Sequence, residues 1–136
     1  MAWVVDTCIV IDVLEHDPRH GLRSARLLET LRGHGLVVSP VTMVELAPAF
    51  AGDLVEQKRF LTLAGIGHGI DWTAADTEAA HLAWNAYIGA RRRRGGIRRP
   101  VADILIGAFA TRFQGLVTRN ARDFRPCFPT LDIKTS

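Results

Sequence analysis

Short apolar runs alternate with longer stretches of helical periodicity from one end of this chain to the other. The strand-like runs are Trp3-Val4-Val5, Leu36-Val37-Val38, Ile70-Asp71-Trp72, Leu116-Val117-Thr118 and Leu131-Asp132-Ile133. Between them, apolar residues recur at spacings of three and four, as on one face of a helix. Ile9, Val10, Val13 and Leu14 form the first such set. Leu22 to Leu31 forms the second, with Ala25, Leu28 and Leu31 expected inward. Ser39-Pro40 combines a capping hydroxyl with a proline at the first helical position, and opens a helix carrying Val41, Val44 and Leu46. Pro48 predicts a break there, because it lacks an N–H. A helix over 53–64 follows, with Leu54, Phe60, Leu61 and Leu63 as its apolar contacts. Thr73-Ala74-Ala75-Asp76 has the spacing of a capping box and opens a helix reaching Arg94, with Ala80, Ala83, Trp84 and Tyr87 on one face. Strands joined by helices require a parallel sheet covered on both faces. The expected fold is an α/β/α sandwich of Rossmann type, with four to five parallel strands.

A chain of 136 residues suits one domain, taken as 1–136. No apolar run approaches the roughly 18–20 residues of a membrane span. Asp6 arrives too early for a signal peptide, so a cytoplasmic protein is expected. Cys8 and Cys127 stand in no metal-type spacing, and the five histidines form no cluster, which argues against a zinc site. The net charge of +3 is unevenly spread. Arg91, Arg92, Arg93, Arg94, Arg98 and Arg99 are six of the 17 basic residues, and so local a patch points to a phosphate-bearing partner such as an RNA backbone. A solvated helix end is the plainer reading of the same run.

The segment from Pro100 to Phe113 is a strongly apolar helix with one carboxylate, Asp103, in its first turn. Val101, Ile104, Leu105, Ala108 and Phe109 make its core stripe, and Asp103 lies just off it. Alone, Asp103 would be an acid stabilised by the helix dipole. Asp6 at the end of the first strand, Glu45 after the second and the 120–123 turn after the fourth change the weighing. In a parallel sheet these positions gather at the C-terminal edge, where open α/β folds bind ligands. Clustered carboxylates repel, and a hard divalent cation such as Mg²⁺ or Mn²⁺ relieves the conflict. Asp12, within the first helix, reads as a solvated face residue. Cys8 reads as packing, and Trp72 and Trp84 as core or dimer contacts. Glu15, Asp17, Asp53 and Asp76 read as turn or cap residues.

Asp6-Thr7-Cys8, Ser39 with Glu45, Pro100-Val101-Ala102-Asp103 with Ile106 and Ala108, and Thr118-Arg119-Asn120 with Asp123-Phe124 occur in an order that resembles the PIN-domain family, and within it the VapC-type toxins of toxin–antitoxin pairs. The resemblance spans nearly the whole chain. It implies an Mg²⁺- or Mn²⁺-dependent endoribonuclease, a homodimer and inhibition by a small antitoxin. Asp6, Glu45 and Asp103 match the family's main acids, and Thr118 matches an assisting hydroxyl. Where many members carry aspartate, this chain has Asn120, and Asp123 is the nearest acid to take a fourth role. A housekeeping RNA-processing nuclease of the same fold and an inactive RNA- or protein-binding module are the alternatives.

Overall fold

Trp3–Val5 forms β1, and all three residues are buried. Such a run, without alternation, is what a strand covered on both faces requires. β1 is the middle strand in a computed structural model that describes residues 1–94 and 101–136, residues 91–94 by backbone alone. Among the described residues five strands make one sheet, in the order β3-β2-β1-β4-β5. The others are β2 (Leu36–Val37), β3 (Ile66–Gly67), β4 (Gly115–Val117) and β5 (Ile133–Lys134). Every pairing is parallel, with Val4 opposite Val37 and Val5 opposite Val117. The parallel α/β/α expectation is therefore met.

The helices are α1 (Thr7–Leu14), α2 (Gly21–Leu31), α3 (Pro40–Glu45), α4 (Leu54–Leu63), α5 (Ala74–Arg94), α6 (Val101–Ala110) and the single turn α7 (Ala121–Phe124). Alternate residues of the central strands feed opposite cores. Trp3, Val5 and Val117 join Ile9, Leu28 and Leu61 from α1, α2 and α4. Val4 and Leu116 join Ile106, Phe109 and Phe124 on the α6 side. Two glycines let layers close. A β-carbon on Gly115 would lie 2.2 Å from the Asp132 carbonyl oxygen, and one on Gly107 would lie 2.3 Å from the Phe128 ring.

Caps fall where the sequence places them. The Ser39 hydroxyl accepts from the Thr42 N–H at 3.1 Å. Thr73 and Asp76 exchange reciprocal capping bonds of 3.0 and 3.2 Å. Asp53 caps α4 through the Glu56 N–H. The break at Pro48 is a 3-10 turn over Ala47–Phe50.

Several readings need correction. The third strand is Ile66–Gly67, within the glycine-rich segment expected to be a connection, and 70–72 is not a strand. Ile70 and Trp72 are apolar because they pack on the α6-side core, with Trp72 stacked on Phe109 at 6.5 Å between centroids. In α2 Leu28 and Leu31 are inward as expected, but Ser24 joins them in place of Ala25, which is exposed. α6 ends at Ala110 rather than near Phe113. Leu54, Leu63 and Val101, expected as apolar contacts, face outward at 52, 77 and 45% exposure.

Candidate active site

Asp6 follows β1 directly and caps α1, so its position is set by a strand and a helix at once. Its own N–H donates to the Val117 carbonyl, tying it to β4. The side chain is almost fully buried and accepts from three directions. Oδ1 takes the Thr7 N–H at 2.7 Å. Oδ2 takes the Thr118 hydroxyl at 2.7 Å and the Cys8 thiol at 3.4 Å. Thr118 follows β4 as Asp6 follows β1, and adjacent parallel strands in register bring the two together. The Thr118 hydroxyl in turn accepts the Asn120 N–H at 3.0 Å, so the next loop is fastened to the same oxygen.

Glu45, the last residue of α3, reaches this edge from the β2 side. The Thr7 hydroxyl donates to its Oε1 at 2.6 Å and lies 3.0 Å from the Thr42 hydroxyl. Thr42 stands 3.5 Å from the Ser39 hydroxyl, so a row of buried hydroxyls links the α3 cap to α1. These bonds leave Asp6 and Glu45 as neighbours, one held by the Thr7 N–H and the other by the Thr7 hydroxyl.

The electrostatics follow. Burial pushes the Asp6 carboxyl above its ordinary range, the hydrogen bonds from Thr118, Cys8 and Thr7 pull it back, and the charge of Glu45 pushes it further up. The Cys8 thiol is pushed up to about 12, first by burial and then by the Asp6 carboxylate. It therefore serves as a neutral donor to Asp6, and its role exceeds plain packing.

Asp103 is half-buried in the first turn of α6. α6 packs against α3 and against β1 and β4. Its chain direction, feeding β4 as a crossover, puts its N-terminal end at the C-terminal edge of the strands. The charge of Asp103 is felt at Cys127, whose thiol is raised by burial and then by Asp103. Asp123 is half-buried in α7, and Asn120 is exposed just before it. Among the described residues no three His, Cys, Asp or Glu side chains are grouped closely enough to hold an ion. The charge of Glu45 is felt at Asp6, and Thr7 bonds both carboxylates. Both offer hard oxygen donors, and the strain at Asp6 is of the kind a divalent cation relieves, so the residues fit such an ion. Arg98 and Arg99 lie outside the described residues, as do the side chains of Arg91, Arg92, Arg93 and Arg94.

Asp12 is the principal correction. It is 1% exposed, not solvated. Arg119 donates to both its oxygens, at 2.9 and 3.0 Å, and Ser24 donates at 3.0 Å. This pair joins α1 and α2 to the residue after Thr118. No local pattern signals a partner 107 positions away. Thr42 could have been found, because Ser39 and Thr42 have capping spacing. Cys8 and Cys127 are both free thiols.

Comparison with curated proteins finds no match. A solved structure, VapBC2 from Rickettsia felis bound to a DNA fragment from their promoter, is similar in fold, with a TM-score of 0.65 and 19% identity over 99% of this chain and 98% of that one. The family model for the PIN domain matches residues 3–126, and the chain belongs to the PIN domain family.

Proposed function

We propose that this protein is a metal-dependent endoribonuclease acting as the toxin of a VapBC-type pair. The observation that carries the reading is the Asp6–Glu45 arrangement. A buried carboxylate is fastened by Thr118, Cys8 and Thr7, and a second carboxylate is placed beside it by the same threonine. Structural acids are normally paired with cations, as Asp12 and Asp76 are here. Asp6 and its neighbour are instead supported by neutral donors, which orient an anion without cancelling its charge.

Asp6, Glu45 and Asp103 would hold Mg²⁺ or Mn²⁺, with Asp123 or Asn120 adding a further oxygen. When bound, such an ion polarises the phosphodiester and lowers the pKa of a water for in-line attack. Thr118 and Cys8 fix the orientation of Asp6 throughout. Thr7 does the same for Glu45. The arginine run over 91–99 would steer the RNA backbone towards this edge, and the protein would work in the cytoplasm as a single domain.

Two exposed apolar surfaces support the partner readings. A hollow of about 730 Å³ lined by Val41, Val44, Trp72, Trp84, Val101 and Leu105 fits the face of a homodimer. Leu22, Leu54, Val55 and Leu63 are exposed on α2 and α4 and would be covered by the antitoxin. The similar fold of VapBC2, a toxin–antitoxin pair, favours this over a housekeeping nuclease. Brief induction followed by sequencing of RNA ends tests the reading. Discrete new 5′ ends and growth arrest, both absent with Asp103→Asn, are expected. Arrest without new ends would overturn it.

A further inference from the structure

The turn after Thr118 encloses a second, polar hollow of about 450 Å³, lined by Arg119, Asn120, Ala121, Arg122, Asp123 and Arg125. We propose that it is a phosphate-binding subsite for a single-stranded nucleic-acid backbone, with Arg122 and Arg125 as its cations. The proposal rests on the nuclease reading for the choice of a nucleic-acid strand, RNA, over an acidic protein.

The turn is built to present these two side chains. Ala121 and Phe124 are buried and anchor it to the core, whereas Arg122 and Arg125 are exposed. The backbone is locked by the Asp123 N–H on the Asn120 carbonyl at 2.9 Å and the Arg125 N–H on the Ala121 carbonyl at 3.0 Å. Residues three apart on one helical turn are neighbours, so the two guanidiniums share a face. The whole turn is fastened to the candidate site, because the Asn120 N–H donates to the Thr118 hydroxyl that bonds Asp6.

Charge separates the three arginines. Arg119 is committed to Asp12 through two hydrogen bonds. Arg122 and Arg125 make no ion pair among the described residues. Two guanidiniums against the single carboxylate of Asp123 leave the hollow cationic. A planar guanidinium matches phosphate oxygens with two parallel hydrogen bonds, and the hollow has the size of a small-ligand site. A strand whose scissile phosphate lies at Asp6 and Glu45 approaches two carboxylates. Cations one loop away offset that repulsion, which favours a nucleic acid here over an acidic protein.

The test measures binding of a short fluorescein-labelled single-stranded RNA by anisotropy, in EDTA so that no cleavage occurs, from about 50 to about 200 mM NaCl. Wild type is compared with Arg122→Ser/Arg125→Ser and with Arg122→Lys/Arg125→Lys, each checked for an unchanged circular dichroism melt. On single strands each neutralised phosphate contributes about 0.7 to the log–log salt slope, so the serine pair should lower its magnitude by about 1.4. A fourfold rise in salt then costs the variant about sevenfold less affinity than it costs wild type. The lysine pair should keep most of the slope. An unchanged slope in the serine pair overturns the subsite, as does an RNA affinity of wild type that ignores salt. If the serine pair keeps the RNA slope and loses affinity for an acidic protein partner, the surface belongs to that partner and the proposal fails. Wild type that binds with the expected slope yet never cleaves with added Mg²⁺ or Mn²⁺ would sink the nuclease reading and leave the phosphate subsite standing.

Discussion

Arg119 grips Asp12 with two hydrogen bonds of 2.9 and 3.0 Å, and the residue preceding it, Thr118, donates to Asp6 at 2.7 Å. The ion pair and the candidate site are thus consecutive links of one loop. Asp12→Ala removes the anion and leaves Arg119 and Ser24 without their partner. A fully buried pair broken this way costs about 3–5 kcal/mol, and the partial exposure of Arg119 lowers the expectation to about 2–3 kcal/mol. Urea unfolding should show the loss as a lower midpoint with an unchanged slope. A cost below about 0.5 kcal/mol, the size of an ordinary surface change, would mean the pair is ornamental.

Thr118 is the most direct support of Asp6. Thr118→Val removes the shorter of the two donors at Oδ2 and the acceptor of the Asn120 N–H while keeping the shape. Second-layer groups of this kind typically change metal affinity or activity 10–100-fold. Cleavage by Thr118→Val should fall by about that factor, and Thr118→Ser, which restores the hydroxyl, should recover most of it. Equal activities of the valine and serine variants would remove Thr118 from the site.

Asp6 itself should show opposite effects with and without metal. Without it, the ionised carboxylate is destabilised by burial and by Glu45. Asp6→Asn keeps the shape and removes the charge, so the metal-free protein should gain about 1 kcal/mol at neutral pH. Wild type should be stabilised by Mn²⁺, by about 2.7 kcal/mol at a hundredfold excess over Kd, and the variant much less. Melts in EDTA and in excess Mn²⁺ decide this. Identical Mn²⁺ shifts in the two proteins would show that Asp6 is not a ligand.

Acid stability rests in part on another pair. Burial alone would raise the Asp76 carboxyl, but Arg112 at 2.9 and 3.0 Å and the Thr73 N–H outweigh it and hold the group below its ordinary value of 3.8. A depressed folded pKa contributes stability that is fully present above the unfolded value and is lost as pH falls through the folded one. Wild type should therefore weaken below about pH 4, a range set by the ordinary aspartate pKa. Asp76→Asn should be less stable at pH 7 and flatter in that range. Parallel stability–pH curves for the two proteins would contradict the assignment.

The sequence made legible those features that local chemistry encodes. β1, β2 and β4 are unbroken apolar runs, and Asp6, Ser39 and Thr118 stand at their ends. The capping residues announce α3, α4 and α5 because a cap needs a fixed spacing. β3 was not legible, since a two-residue strand defined by pairing Leu36 with Ile66 and Val37 with Gly67 has no side-chain period of its own. The Thr7–Glu45 bond and the Asp12–Arg119 pair depend on crossovers that bring distant residues together. Asp12 reads as solvated from sequence because local spacing shows only its neighbours on its own helix, whereas Arg119 reaches it from 107 positions away.

We propose that Asp6, with Glu45 beside it, contributes to a metal site that cleaves RNA. The most direct measurement follows cleavage of labelled single-stranded RNA by the purified protein, with Mn²⁺ or Mg²⁺ and with EDTA, beside Asp6→Asn and Asp103→Asn variants of confirmed fold. Wild type should cleave only when metal is present, and neither variant should cleave at all. Cleavage that persists in EDTA, or that survives in either variant, would contradict it.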